Sequence, residues 1–159
     1  MCNINRHIPD LEQREQIEFT HNTTNVTIAG ATYGGVTDEK NQDDYFIIKI
    51  GNILFTCVFD GHGSLEGKFV SHWARKICLE QLYTETFISS FKENPNETLK
   101  QLFIIINEKV KQKMIELYTE LEYEITYEKE SIIIKNQIQL SQYIVKGGTM
   151  MTLLVFDFD

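Results

Sequence analysis

Two apolar runs joined by a two-residue turn constrain this chain most. Tyr45-Phe46-Ile47-Ile48-Lys49-Ile50 and Ile53-Leu54-Phe55-Thr56-Cys57-Val58-Phe59 flank Gly51-Asn52. Such a pair reads as an antiparallel hairpin, because Gly and Asn tolerate the backbone angles of a tight turn. The second run stops at Asp60-Gly61, which puts a carboxylate at a strand end, on a rigid support. Gln42, Asp43 and Asp44 open the first run, at the end remote from the turn. Antiparallel pairing therefore sends them back towards Asp60.

Around this hairpin the remaining elements follow from pattern. Residues 1–24 are polar without a sustained period and read as an N-terminal arm, extended or partly helical. Asn25–Tyr33 is rich in β-branched residues and reads as a strand, followed by turn chemistry at Gly34-Gly35 and Thr37–Asn41. Val70, Trp73, Ala74, Ile77 and Gln81 recur at helical spacing, and that helix is expected to run to about Ser89. Asn94-Pro95-Asn96-Glu97 is a second helix start, and Leu99, Leu102, Phe103, Ile106, Val110, Met114 and Leu117 supply its apolar face. From 118 to 146 the pattern weakens: Ser131–Val145 suits strand or helix, and an insertion or loose loop is expected. Gly147-Gly148-Thr149 breaks the chain before Met150–Phe158, which reads as a buried strand. Strands, two helices, then a strand favour an α+β fold with helices packed on largely antiparallel sheets.

Composition narrows the partners. The 159 residues suit one domain, and 42% apolar with 24% charged is ordinary for a globular protein. A net charge of -8 argues against nucleic acid as a partner, which needs a basic face. Three cysteines (Cys2, Cys57 and Cys78) make no metal-binding pair, and their odd number points to a reducing compartment. His72 and Cys78 fit no zinc spacing either. The opening MCNINRHIPD has no apolar run, and no segment approaches membrane-spanning length, so the expectation is a cytoplasmic protein without a membrane partner.

Chemistry concentrates at Asp60-Gly61-His62-Gly63. A strand-end carboxylate beside a glycine carbonyl offers the hard oxygen donors that magnesium or manganese prefers. His62 supplies an imidazole, the side-chain type suited to proton transfer at working pH, and can protonate a leaving alkoxide, while Gly63 leaves room for a substrate. Two divalent ions bridged by a carboxylate provide both the nucleophile and the charge compensation that phosphomonoester hydrolysis needs. The plain alternatives are a turn after a strand for Asp60-Gly61, and turn residues entering a strand for Asn41–Asp44.

The stretch NQDDYFI…LFTCVFDGHGS…GKFVSHWARKI resembles the metal-dependent protein phosphatase family, PPM-type or type 2C, over roughly Val26 to Phe158. There an acidic-Asp motif opens one strand, an Asp-Gly-His-Gly motif closes the next, and a Gly-Thr strand recurs later; Gly147-Gly148-Thr149 stands in that place. The resemblance implies part of an α-β-β-α sandwich over residues 25–159. It also implies a protein serine/threonine phosphatase that uses two Mn2+ or Mg2+ ions on a phosphoprotein substrate. It gives Asp60 the bridging role, the Gly61 carbonyl a ligand role and His62 the general acid. Asp43 would hold a water of the metal centre. Gln42 occupies a position where many members have a metal-binding Glu; it can ligate through its amide oxygen but adds no charge.

Three departures qualify what the resemblance implies. Where many members hold substrate phosphate with Arg or Lys, this chain has Asp38, and Lys40 is nearby but displaced. The family draws further metal ligands from Asp-Gly and Asp-Asn motifs in its second half. Here the only Asp-Gly is Asp60-Gly61, and no Asp-Asn occurs. The expectation is thus the amino-terminal half of a phosphatase domain, with half of its ligands. The alternative is an inactive, phosphatase-like interaction or structural module. Either way, another protein chain is expected to cover the half-domain's exposed surface.

Overall fold

The computed structural model describes residues 13–32, 41–63, 66–128, 131–136 and 141–159. The first elements are β1 (Gln13–His21), β2 (Thr24–Thr32), β3 (Asp44–Ile50) and β4 (Ile53–His62). Helices α1 (Gly67–Leu82), α2 (Glu85–Glu93) and α3 (Pro95–Glu120) follow, then β5 (Tyr123–Glu128), β6 (Ser131–Asn136), β7 (Ser141–Ile144) and β8 (Gly148–Asp157). The described residues form an α+β protein with three antiparallel sheets, β1-β2, β3-β4-β8 and β5-β6-β7. Two units divide the chain: 1–75 with 148–159, and 76–147.

In the first unit the central hairpin forms in the expected register, with Ile50 opposite Ile53 and Gly51 at φ 60°. Its alternation sorts two faces. One carries Phe46, Phe55, Cys57 and Phe59, all buried. The other carries Tyr45, Ile47 and Leu54, which pack with Ile17 and Ile28 of the β1-β2 hairpin and with Phe158. Strand β1 falls within the stretch read as an arm. Only Ile17 and Phe19 are apolar there, alternating with Gln16, Glu18 and Thr20, so the period is too short to stand out. The turn expected over Gly34-Gly35 and residues 37–40 lies outside the described residues, as do Cys2 and His7.

Strand β8 departs from its reading as a buried strand. It alternates half-buried with exposed residues, because it pairs with β4 alone among the described strands and the β1-β2 hairpin covers only part of one face. Beyond that cover, Val58, Met150, Leu154 and Phe156 are exposed.

The second unit corrects two further expectations. The helix beginning at Gly67 does not run to Ser89: it stops at Leu82, and Thr84 adopts extended angles (φ -78°, ψ 138°) and caps α2 by accepting from Phe87 N. The buried stripe steps five residues from Leu82 to Phe87 at the break and then resumes helical spacing to Phe91. Where a loose loop was expected, the described residues between 123 and 144 form three short strands, β5, β6 and β7; Ile132, Ile133 and Ile134 of β6 are buried. The second helix start is as read: Asn94 accepts from Glu97 N and Pro95 is the first residue of α3. Its buried side chains are Leu102, Ile106, Val110, Met114 and Tyr118, one turn apart. Cys57 and Cys78 are buried thiols outside any disulfide, and burial pushes the Cys78 thiol up to about 12. No helix among the described residues is long and apolar enough to cross a membrane.

Candidate functional site

The β3-β4 register carries the two motifs together. Asp44 lies opposite Phe59, so the chain before it runs past Asp60 and Gly61. Asp43 Oδ1 accepts from Gly61 N at 3.3 Å, and Asn41 Oδ1 accepts from Asp43 N at 3.1 Å, which fixes the entry to β3. Asn41 Nδ2 in turn donates to Thr32 Oγ1 at 2.7 Å. Residue 61 must be glycine for a steric reason: a methyl there would overlap the Gln42 and Gly67 backbone carbonyls. Gly63 has φ 110°, a backbone that side chains other than hydrogen strain to adopt.

The third motif joins on the other side of β4. His62 lies opposite Gly148, and a methyl at Gly148 would overlap the His62 imidazole, so the ring lies over that glycine. Thr149 Oγ1 donates to the Asp60 carbonyl at 3.1 Å. Asp60 and His62 are both exposed, on the same sheet face as Val58, Met150 and Leu154. Asp157 and Asp159 belong elsewhere. Asp157 pairs with Ile53, seven residues along β4 from Asp60, about 23 Å at strand rise.

Helix α1 closes the site's other flank through residues that motif reading passed over. Ser71 is fully buried and donates to the Gln42 carbonyl at 2.5 Å. Gly67 packs on Gln42 Oε1 so closely that a side chain there would overlap it. One turn further on, Arg75 Nε meets Asp44 Oδ1 at 3.3 Å and donates to the Tyr45 carbonyl at 2.7 Å, and Glu15 lies 3.5 Å from its guanidinium. His72 Nδ1 stands 3.6 Å from Asp44 Oδ2. Asp44 is therefore a buried structural anion, not a turn residue. The small and polar residues on the buried side of α1 were the available signal, since an apolar stripe has no use for Gly67 or Ser71.

The oxygen donors can be weighed against a metal. Gln42 Oε1 is buried and without a hydrogen-bond partner, a condition that costs about 1–3 kcal/mol unless something donates to it or coordinates it. With the Asp60 carboxylate and the Gly61 carbonyl it would make a hard-oxygen donor set. No group of three or more His, Cys, Asp or Glu side chains gathers at ligating range among the described residues. The three donors have the chemistry a hard divalent ion takes, with a single charge among them. Lys40 and Asp38 lie outside the described residues.

A cleft of about 400 Å3 in the second unit, beside Thr84, Phe87, Asn94 and Leu102, holds none of the motif residues. No family model, curated protein or solved structure matches this chain.

Proposed function

We propose that residues 41–63, with Gly148 and Thr149, are the amino-terminal portion of a metal-dependent protein serine/threonine phosphatase centre of the PPM type. The observation that supports this most is the convergence of three separated motifs on one strand end. Gln42-Asp43 meets Gly61, Asp60 accepts from Thr149, and His62 lies over Gly148.

In this reading Asp60, the Gly61 carbonyl and Gln42 Oε1 would hold a Mn2+ or Mg2+ ion, and Asp43 orients Gly61 by accepting from its backbone N–H. Such an ion activates water and offsets charge on phosphoryl oxygens. His62, exposed above the sheet face, gives its proton to the departing serine or threonine oxygen. The phosphorylated protein reaches this face from solvent, in the cytoplasm. With one carboxylate on the ion, affinity should be weak.

A second reading, an inactive phosphatase-like interaction module, is favoured by one observation: among the described residues no group of three or more charged or imidazole ligands converges here. The test is hydrolysis of a phosphothreonine peptide with added manganese, beside an Asp60→Asn variant, with manganese affinity measured by calorimetry. Manganese-dependent turnover that drops at least a hundredfold in the variant is expected of the enzyme. Unchanged manganese affinity in Asp60→Asn would sink the metal assignment, and no turnover at saturating manganese would leave the module.

A further inference from the structure

The cleft of about 400 Å3 in the second unit has the size of a small-molecule site. Asn94 ends α2 and caps α3, and the cleft lies between the two helices. One wall is a face of α3, where Thr98, Gln101, Leu102 and Ile105 recur at three- and four-residue spacing. Phe87 and Ser90 of α2 supply the other. Phe87 and Leu102 are buried and Ile105 is half-buried, so the base of the cleft is apolar and held in place by packing.

The charges on its walls have one sign. Among the described residues that line it, Glu93 and Glu97 are acidic and none is Lys, Arg or His. Glu93 takes no hydrogen bond or ion pair from a described residue. Lys100 stands 3.8 Å from Glu97 Oε2, but that pair is solvent-exposed and contributes little. Two helices start beside the cleft, and a helix start favours an anion when its N–H groups are open. Here Thr84 Oγ1 accepts from Phe87 N and Asn94 Oδ1 from Glu97 N, and each first turn already carries a carboxylate, Glu85 or Glu97. The anion reading is therefore the weaker one. Glu97 and Ile105 stand about two turns apart on α3, which separates a charged part of the cleft from an apolar part.

We propose that this cleft binds a small amphipathic cation: a primary ammonium on an unbranched alkyl body. The ammonium is held by Glu93 and Glu97, and the body lies along Phe87, Leu102 and Ile105. Each half of such a ligand meets its complement, since a hydrocarbon gains by leaving water for an apolar wall and an ammonium gains from a carboxylate pair. No motif residue lines the cleft, so the site stands apart from the phosphatase reading.

Hexylammonium, neutral 1-hexanol and anionic hexanoate are titrated into the full chain and followed by amide chemical shifts. Hexylammonium should move the amides of Phe87, Glu93, Glu97 and Leu102, and its affinity should fall as sodium chloride rises. Hexanol should bind more weakly, and hexanoate more weakly still. Both glutamates are exposed, so the Glu93→Gln, Glu97→Gln double variant keeps the fold and the shape of the cleft while removing its charge. Its affinity for hexylammonium should drop roughly threefold to tenfold, with hexanol binding unchanged. Equal affinity for hexylammonium and hexanol, or an unchanged affinity for hexylammonium in the double variant, would overturn the cation assignment. Shifts in wild-type protein that avoid residues 81–105 would overturn the site itself, whatever the variant does.

Discussion

Asp44 shows how little a residue's type says about its role until its neighbours are known. It adjoins Asp43 in the sequence, yet the two carboxylates do different things. Asp43 accepts from Gly61 at the candidate site; Asp44 is buried against Arg75 and His72 and also accepts from Tyr45 N at 2.8 Å. Removing one partner of a buried pair leaves the other charge uncompensated, which costs more than the pair contributes. Asp44→Ala should therefore lose about 3 kcal/mol in urea unfolding, the lower end of the usual range, because Glu15 also stands by Arg75. A loss under about 1 kcal/mol would show that Arg75 finds water instead. The sequence makes Asp60, Gly61 and His62 legible because the motif is contiguous and sits at a strand end. Asp44 and Ser71 are not legible, because their roles depend on which helix face meets which strand.

At the scale of elements, legibility depended on local chemistry outweighing periodicity. The Gly51-Asn52 hairpin and the Asn94-Pro95 start each carry a specific backbone requirement, and both form as read. The break at Tyr83-Thr84 shows only as a single five-residue step, Leu82 to Phe87, in an otherwise helical stripe, and strands of four to six residues mixed with Glu and Lys, such as β5, dilute their alternation. Asn94 serves two helices at once: its N–H donates to Ser90 O at 2.8 Å, closing α2, and its side chain accepts from Glu97 N at 3.3 Å, opening α3. Asn94→Ala removes the side-chain bond but keeps the backbone one, so the expected loss is about 1 kcal/mol, with Asn94→Ser restoring most of it. Equal stability of the alanine and serine variants would show that the cap contributes nothing beyond the backbone bond.

At the scale of the whole molecule, two opposing terms decide whether the chain stays alone. On the face shared with Asp60, Val58, Met150, Leu154 and Phe156 are 54%, 66%, 55% and 48% exposed. Together they approach the few hundred Å2 of contiguous apolar surface that marks an interaction site. Strand β8 adds an edge paired with β4 alone among the described strands, and ten residues of backbone there can accept another strand. Against this stands the net charge of -8, which repels a second copy and is felt over about 10 Å at 0.1 M salt. Hydrophobic contact does not weaken with salt, whereas the repulsion does. Sedimentation velocity should therefore show association that grows with protein concentration and strengthens as sodium chloride rises from low to high. Leu154→Lys places a charge in the middle of the patch and should return the chain to monomer without changing its melting temperature by more than a few degrees. A monomer at every concentration and salt would mean that this face stays free in purified protein. Association that salt weakens would assign the contact to charge pairs and away from β8.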